Sequence, residues 1–274
     1  MTASARRGRQ ASPIWSANPR LLRDSVPAAL PLWREPFAAA EFAFLPFTPI
    51  YHGMGVPRGD GAAVIVVPGF TGTDGYLAPM RRWLGRIGYR PYRSAIGQNA
   101  DCLDRLGNRL IGTLQKAADE TGRRAHLVGH SLGGMLSRGV TSLRPDLVAS
   151  VTTMGSPIRG VRSHPMVMRL AEAVRRRVVE RDGAREPACF SGDCRCDLVR
   201  SVQSPFPEEV PQLAIFTRRD GVVAWRYTRL HDPSLNREVL GTHSGLAANA
   251  LAYWHLARFL KRHPSPALTA ETAT

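Results

Sequence analysis

The run Ala62–Val67 (AAVIVV) has no polar member and is mostly β-branched, and Pro68-Gly69 closes it. It is short for a helix, and both of its alternating faces are apolar, so it reads as a strand buried on both sides. That is the pattern of a parallel sheet covered by helices, and the Pro-Gly pair marks the loop that follows. The alternation then continues. Leu77–Ile87 carries Leu77, Met80, Leu84 and Ile87 on one helical stripe, Arg90–Ser94 reads as a strand, and Asp101–Thr121 as a helix with Leu103, Leu106, Leu110, Leu114 and Ala117 on one face. Ala125–Val128 is a strand, Leu132–Leu143 a helix, Leu147–Met154 a strand, Gln212–Phe216 a strand and Leu246–Leu260 the final helix. This alternation predicts an α/β domain with a mostly parallel central sheet flanked by helices.

Three stretches fall outside that rhythm. Residues 1–20 read as a disordered basic tail. Residues 21–60 read as an N-terminal arm of broken helical turns packing on the core, with apolar surface from Val26, Leu30, Leu32, Trp33, Phe37, Phe42, Phe44 and Phe47. An amphipathic membrane-docking or substrate-access element is the sharper alternative for this arm. Within the main domain, 61–274, residues 156–211 form an insertion whose helix Met166–Arg181 has the stripe Val167, Leu170, Ala171, Val174 and Val178. That stripe serves either a core contact or a lid over an acyl pocket.

A length of 274 residues suffices for one large domain with a real core. The formal net charge is +15, nearly all from arginine, since Lys116 and Lys261 are the only lysines. The basic residues are spread along the chain instead of forming a tract. This argues against a nucleic-acid partner and leaves attraction to anionic lipid or an acidic substrate. No apolar run approaches the roughly 20 residues of a membrane span. The richest stretch, Ala28–Tyr51, is broken by Arg34, Glu35, Glu41 and prolines. Arg6, Arg7 and Arg9 lead into the polar, mixed Gln10–Arg23 and not into an apolar signal region, which predicts a cytoplasmic protein with room for peripheral membrane contact. Cys189, Cys194 and Cys196 form C-x4-C-x-C, without the paired spacing of a zinc site. A local disulfide from Cys189 to Cys194 or Cys196 and reduced thiols, with Cys102 apart, both remain open.

Residues 129–133 read Gly-His-Ser-Leu-Gly, between the strand ending at Val128 and the helix from Leu132. A G-x-S-x-G at a strand-to-helix turn exposes the serine above the sheet, and small flanking residues let the backbone fold tightly around it. Ser131 is therefore the candidate nucleophile. Its oxyanion needs two backbone donors, one of them the N–H after the serine, Leu132. The other belongs to the loop after an earlier strand, Pro68-Gly69-Phe70-Thr71-Gly72, where Phe70 N–H is the assignment and Thr71 the fallback. Thr71 and His130 are also placed at the substrate; His130 packs beneath the turn and is not the base.

A serine hydroxyl needs a histidine to take its proton and a carboxylate to orient that histidine. With this elbow the chain order is serine, acid, histidine. Asp220 follows the strand Leu213–Phe216, at the carboxyl end where sites of open α/β sheets lie. Asp182, Asp193, Asp197 and Glu209 follow no strand. His243, in Gly-Thr-His-Ser-Gly before the last helix, is favoured as base over His231, which is followed by the turn pair Asp232-Pro233. This chemistry requires no metal or cofactor.

Taken in order, VIVVPGFTG, GHSLGG, TRRDGVV and GTHSGL resemble the α/β-hydrolase superfamily, in particular its compact bacterial lipase and esterase branch, over residues 62–260. The resemblance implies the α/β-hydrolase fold and hydrolysis of a small-molecule acyl ester or lipid through an acyl-enzyme on Ser131. The chain departs from that branch in carrying Pro68 where its lipases usually have histidine. An acyltransferase, thioesterase or amidase would use the same side chains, and a non-catalytic binding protein could share the fold.

Overall fold

The computed structural model describes residues 30–182 and 196–268. The expectations for the tail 1–20, for residues 21–29 of the arm, and for Cys189 and Cys194 lie outside the described residues.

Among the described residues six strands form one sheet: β1 (Ala63–Val67), β2 (Arg90–Arg93), β3 (Ala125–His130), β4 (Val148–Met154), β5 (Gln212–Phe216) and β6 (Asn236–Glu238). Their order is β2-β1-β3-β4-β5-β6, and every pairing is parallel. The helices are α1 (Ala38–Phe44), α2 (Ala78–Arg86), α3 (Leu103–Thr121), α4 (Leu132–Leu143), α5 (Pro165–Asp182), α6 (Asp197–Gln203) and α7 (Ala250–Arg262). The alternation of β1 explains its wholly apolar sequence. Val64 and Val66 enter one core with Met80 and Trp83 of α2 and Tyr253 and Leu256 of α7. Ala63, Ile65 and Val67 enter the other with Leu106 and Leu110 of α3 and Leu136 and Val140 of α4. Both faces are covered, as the sequence predicts.

The stretch 156–211 divides in two. Helix α5 keeps Val174 and Val178 buried and leaves Met166 and Leu170 exposed. Helix α6 instead joins the second core through Leu198 and Val199. A β-carbon at Gly107 or Gly139 would come within 3.0 Å of Leu198, so these two glycines of α3 and α4 make the seat for α6. At the end of the chain, Leu246 lies in a 3-10 turn, Ser244–Ala248, and α7 begins at Ala250, where the Asn249 side chain accepts the Ala252 N–H. The edge strand β6 has no apolar alternation in its sequence, Asn-Arg-Glu, and periodicity does not reveal it.

The arm packs on the first core. It runs through 3-10 turns at Leu32–Phe37, Leu45–Phe47 and Pro49–His52 on either side of α1. Pro36, Pro46 and Pro49 lack the N–H that a continuous α-helix needs. Leu30, Ala38, Leu45 and Tyr51 are buried, and Trp83 Nε1 donates to the Ile50 carbonyl at 2.9 Å.

From β1 the chain moves outward to β2, then returns to lay β3 on the other side of β1. The loops leaving β1 and β3 therefore diverge and open a crevice at their carboxyl ends, the place where open α/β sheets hold ligands.

Candidate active site

Ser131 stands in that crevice between β3 and α4 with φ +52°, a left-handed conformation costly for a residue with a side chain. The turn is held on both sides. Ser131 N–H donates to the Met154 carbonyl at 2.8 Å. A β-carbon at Gly133 would lie 2.4 Å from the carbonyl oxygens of Val67 and Pro68, so only glycine lets α4 start this close to the end of β1. Leu132 N–H belongs to the first turn of α4, where the helix has no internal acceptor and its dipole end is positive.

Across the crevice, the loop after β1 uses almost all of its amides internally. Gly69 N–H donates to Tyr76 Oη at 2.7 Å, Thr71 N–H to the Asn99 carbonyl at 2.9 Å, and Gly72 N–H to the Gly69 carbonyl at 2.9 Å. Asn99 Nδ2 in turn donates to the Pro68 carbonyl at 2.7 Å. Among the described residues Phe70 N–H makes no hydrogen bond, whereas the amide of Thr71, the fallback donor, is engaged. The Thr71 side chain lines the cavity described below.

Asp220 sits in the turn beyond β5. Its Oδ1 accepts the N–H groups of Val222 at 2.9 Å and Val223 at 2.7 Å, and its Oδ2 accepts His243 Nδ1–H at 2.7 Å. Both side chains are buried. With Nδ1 committed as donor, neutral His243 presents a lone pair at Nε2. Burial alone would lower the His243 pKa, but the charge and hydrogen bond of Asp220, with the Glu35 charge behind them, raise it above the ordinary histidine value. No hydrogen bond joins the Ser131 hydroxyl to His243 among the described residues; both side chains face the same cavity.

His130 connects the two loops. Tyr76 Oη donates to its Nδ1 at 2.9 Å, and its Nε2–H donates to the His243 carbonyl at 2.9 Å. Burial, then the neighbouring His243, lowers its pKa to about 3, so the ring stays neutral. His130 borders the cavity, and both of its nitrogens are occupied. The rivals lie elsewhere. His231 is exposed, Asp182 pairs with Arg105 and Arg181, Asp197 pairs with Arg200, and Glu209 is exposed; Asp193 lies outside the described residues.

The shared cavity measures about 450 Å³ and joins Phe70, Ser131, Leu132 and His243 to apolar walls: Met135 of α4, Val161, Val222, and Val167, Leu170 and Ala171 of α5, with Phe42 from the arm. The chain order of motifs does not reveal Tyr76, Glu35 or Glu41 as parts of this region. Glu35 and Glu41 do carry a signal, being the only carboxylates within Ala28–Tyr51.

A family model described as alpha/beta hydrolase fold matches residues 121–233. A triacylglycerol lipase of Pseudarthrobacter phenanthrenivorans is 36% identical over 106 residues, covering 35% of this chain and 33% of the lipase, so the match spans about a third of that relative. Two solved structures are similar in fold. One comes from LipS and LipT, two metagenome-derived lipolytic enzymes (16% identity, TM-score 0.52, 76% of this chain and 96% of that one). The other is a soluble variant of monoglyceride lipase from Saccharomyces cerevisiae bound to a substrate analog (14% identity, TM-score 0.52, 78% and 90%).

Proposed function

We propose that this chain, which is similar to proteins of the alpha/beta hydrolase fold, is a serine hydrolase of carboxylic esters acting through an acyl-enzyme on Ser131. The observation that carries this reading is the buried 2.7 Å Asp220–His243 pair opening onto the same cavity as the strained Ser131 turn. Ser131 Oγ attacks the ester carbonyl while His243 Nε2 takes its proton and Asp220 steadies the imidazolium. The N–H groups of Phe70 and Leu132 receive the oxyanion, each donor worth roughly 2.7–4 kcal/mol of barrier. His243 returns the proton to the departing alcohol, then activates the water that releases the acid.

The substrate class follows from the walls. A cavity of about 450 Å³ lined by Met135, Val167, Leu170 and Val222 suits an acyl chain, and α5 over that cavity is read as its lid. The triacylglycerol lipase relative supports the same class. The outer face of the arm supports peripheral lipid contact. Every exposed residue between 31 and 49 is apolar, including Trp33, Phe37, Phe44 and Phe47, while Phe42 of the same helix reaches the cavity. The +15 charge favours an anionic surface.

In the test, Ser131→Ala removes both fluorophosphonate labelling and hydrolysis of nitrophenyl esters. Labelling retained in that variant overturns the assignment.

A further inference from the structure

The arm touches the catalytic loop through two carboxylates. Glu35 Oε1 accepts the N–H of His243 at 3.0 Å and of Gly221 at 3.1 Å, and Glu35 Oε2 accepts the Ser244 N–H at 2.9 Å. One side chain thus ties the backbone of the base to the residue directly after Asp220. Glu41 Oε1 accepts the Thr242 N–H at 3.0 Å, and its Oε2 accepts the Thr242 hydroxyl at 2.6 Å. The loop is shaped around this contact, because a β-carbon at Gly245 would fall 1.3 Å from Glu41 Oε2. Thr242 and His243 precede the turn at Ser244–Ala248, so their amides have no acceptor within a helix or strand and must find one elsewhere. The arm provides it.

We infer that Glu35 and Glu41 are positioning residues, which fix the loop carrying His243 so that its imidazole meets Ser131. This rests on the ester-hydrolase reading above. The groups facing His243 are Asp220 at Nδ1, His130 with its ring centre 5.0 Å away and its Nε2–H on the His243 carbonyl, and Glu35 behind the backbone. His130 stays neutral. Asp220 and Glu35 are therefore the two anions that favour imidazolium, and loss of the Glu35 charge lowers the pKa of the base.

The experiment compares wild type with Glu35→Gln, Glu41→Gln and Gly245→Ala on a soluble nitrophenyl ester, with near-ultraviolet circular dichroism to confirm folding. In Glu35→Gln, kcat falls at least tenfold with KM within twofold, and the acid limb of kcat/KM moves to lower pH. Glu41→Gln and Gly245→Ala, the latter displacing the Glu41 carboxylate without removing its charge, also lower kcat more than KM. Should Glu35→Gln not fold, these two variants decide by the same kcat-to-KM split. A folded Glu35→Gln with an unmoved acid limb, or variants whose kcat stays within twofold of wild type, overturns the inference and leaves the hydrolase reading intact. A wild type that neither labels nor hydrolyses takes down both.

Discussion

Asp220 Oδ2 accepts His243 Nδ1–H at 2.7 Å with both side chains withdrawn from solvent, which fixes the tautomer that leaves Nε2 free to take a proton. Asp220→Asn keeps the shape, but its amide can present N–H to Nδ1 and so favour the opposite tautomer. We expect kcat to fall on the order of 10³–10⁴-fold. The acid limb of the rate profile should also move to lower pH, because the anion that raises the His243 pKa is gone. Steady-state kinetics from pH 5 to 9 measure both, and an Asp220→Asn variant within tenfold of wild type rejects the role.

Tyr76 Oη sits between the Gly69 amide and His130 Nδ1. Tyr76→Phe leaves both of those groups without a partner in a buried region, at about 1–3 kcal/mol for each unsatisfied group. Thermal denaturation should show the lost stability. Because Gly69 precedes Phe70, kcat should fall by about tenfold through a loosened oxyanion donor. A variant as stable and as fast as wild type contradicts this account.

Ala171 faces the cavity from α5. Ala171→Phe fills part of the roughly 450 Å³ available, so the preferred acyl chain should shorten while the rate on acetate esters changes little. A panel of nitrophenyl esters from two to twelve carbons, roughly the range a drug-sized pocket holds, reads this directly. An unchanged chain-length profile removes α5 from the acyl wall.

Two buried histidines make the fold sensitive to acid. Burial lowers the pKa of His126 to about 4 and that of His130 to about 3. As pH drops below the unfolded value of about 6.5, the unfolded chain binds protons that the native state refuses, so stability declines by up to about 1.4 kcal/mol per pH unit for each ring. His243 has the opposite sign. Its raised pKa adds stability that is complete below the unfolded value and is lost as pH rises through the folded one, so it does not offset the acid decline. Urea midpoints between pH 7 and pH 4.5 should fall steadily, and His126→Asn should flatten the slope. Midpoints that do not change with pH refute the account.

Sheet, flanking helices and serine turn were legible because each leaves a periodic or spaced trace. β1 has no polar residue because it feeds two cores, and Gly129 and Gly133 frame Ser131 because their backbones touch others too closely for a side chain. Asp220 and His243, which the structure pairs, stand out by chain order and by their places at a strand end and before a helix. The rest depends on contacts that leave no spacing. Glu35 and Glu41 bond to backbone amides some 200 positions away, and amides have no sequence. Tyr76 lies in a turn with no pattern. α6 is too short for a stripe, and its seat at Gly107 and Gly139 appears only once α3 and α4 are packed.

The described residues ahead of Gly61 look dispensable beside the βαβ pattern that starts there. A version trimmed to begin at that glycine would retain every described strand, Ser131, Asp220 and His243, yet the stretch from Thr242 to Ser244 would have to hold its shape in water alone. Any chimera between this protein and a relative has to inherit the two segments as a matched pair, since the join that looks safest in the primary structure cuts through the hydrogen bonds that hold the His243 loop.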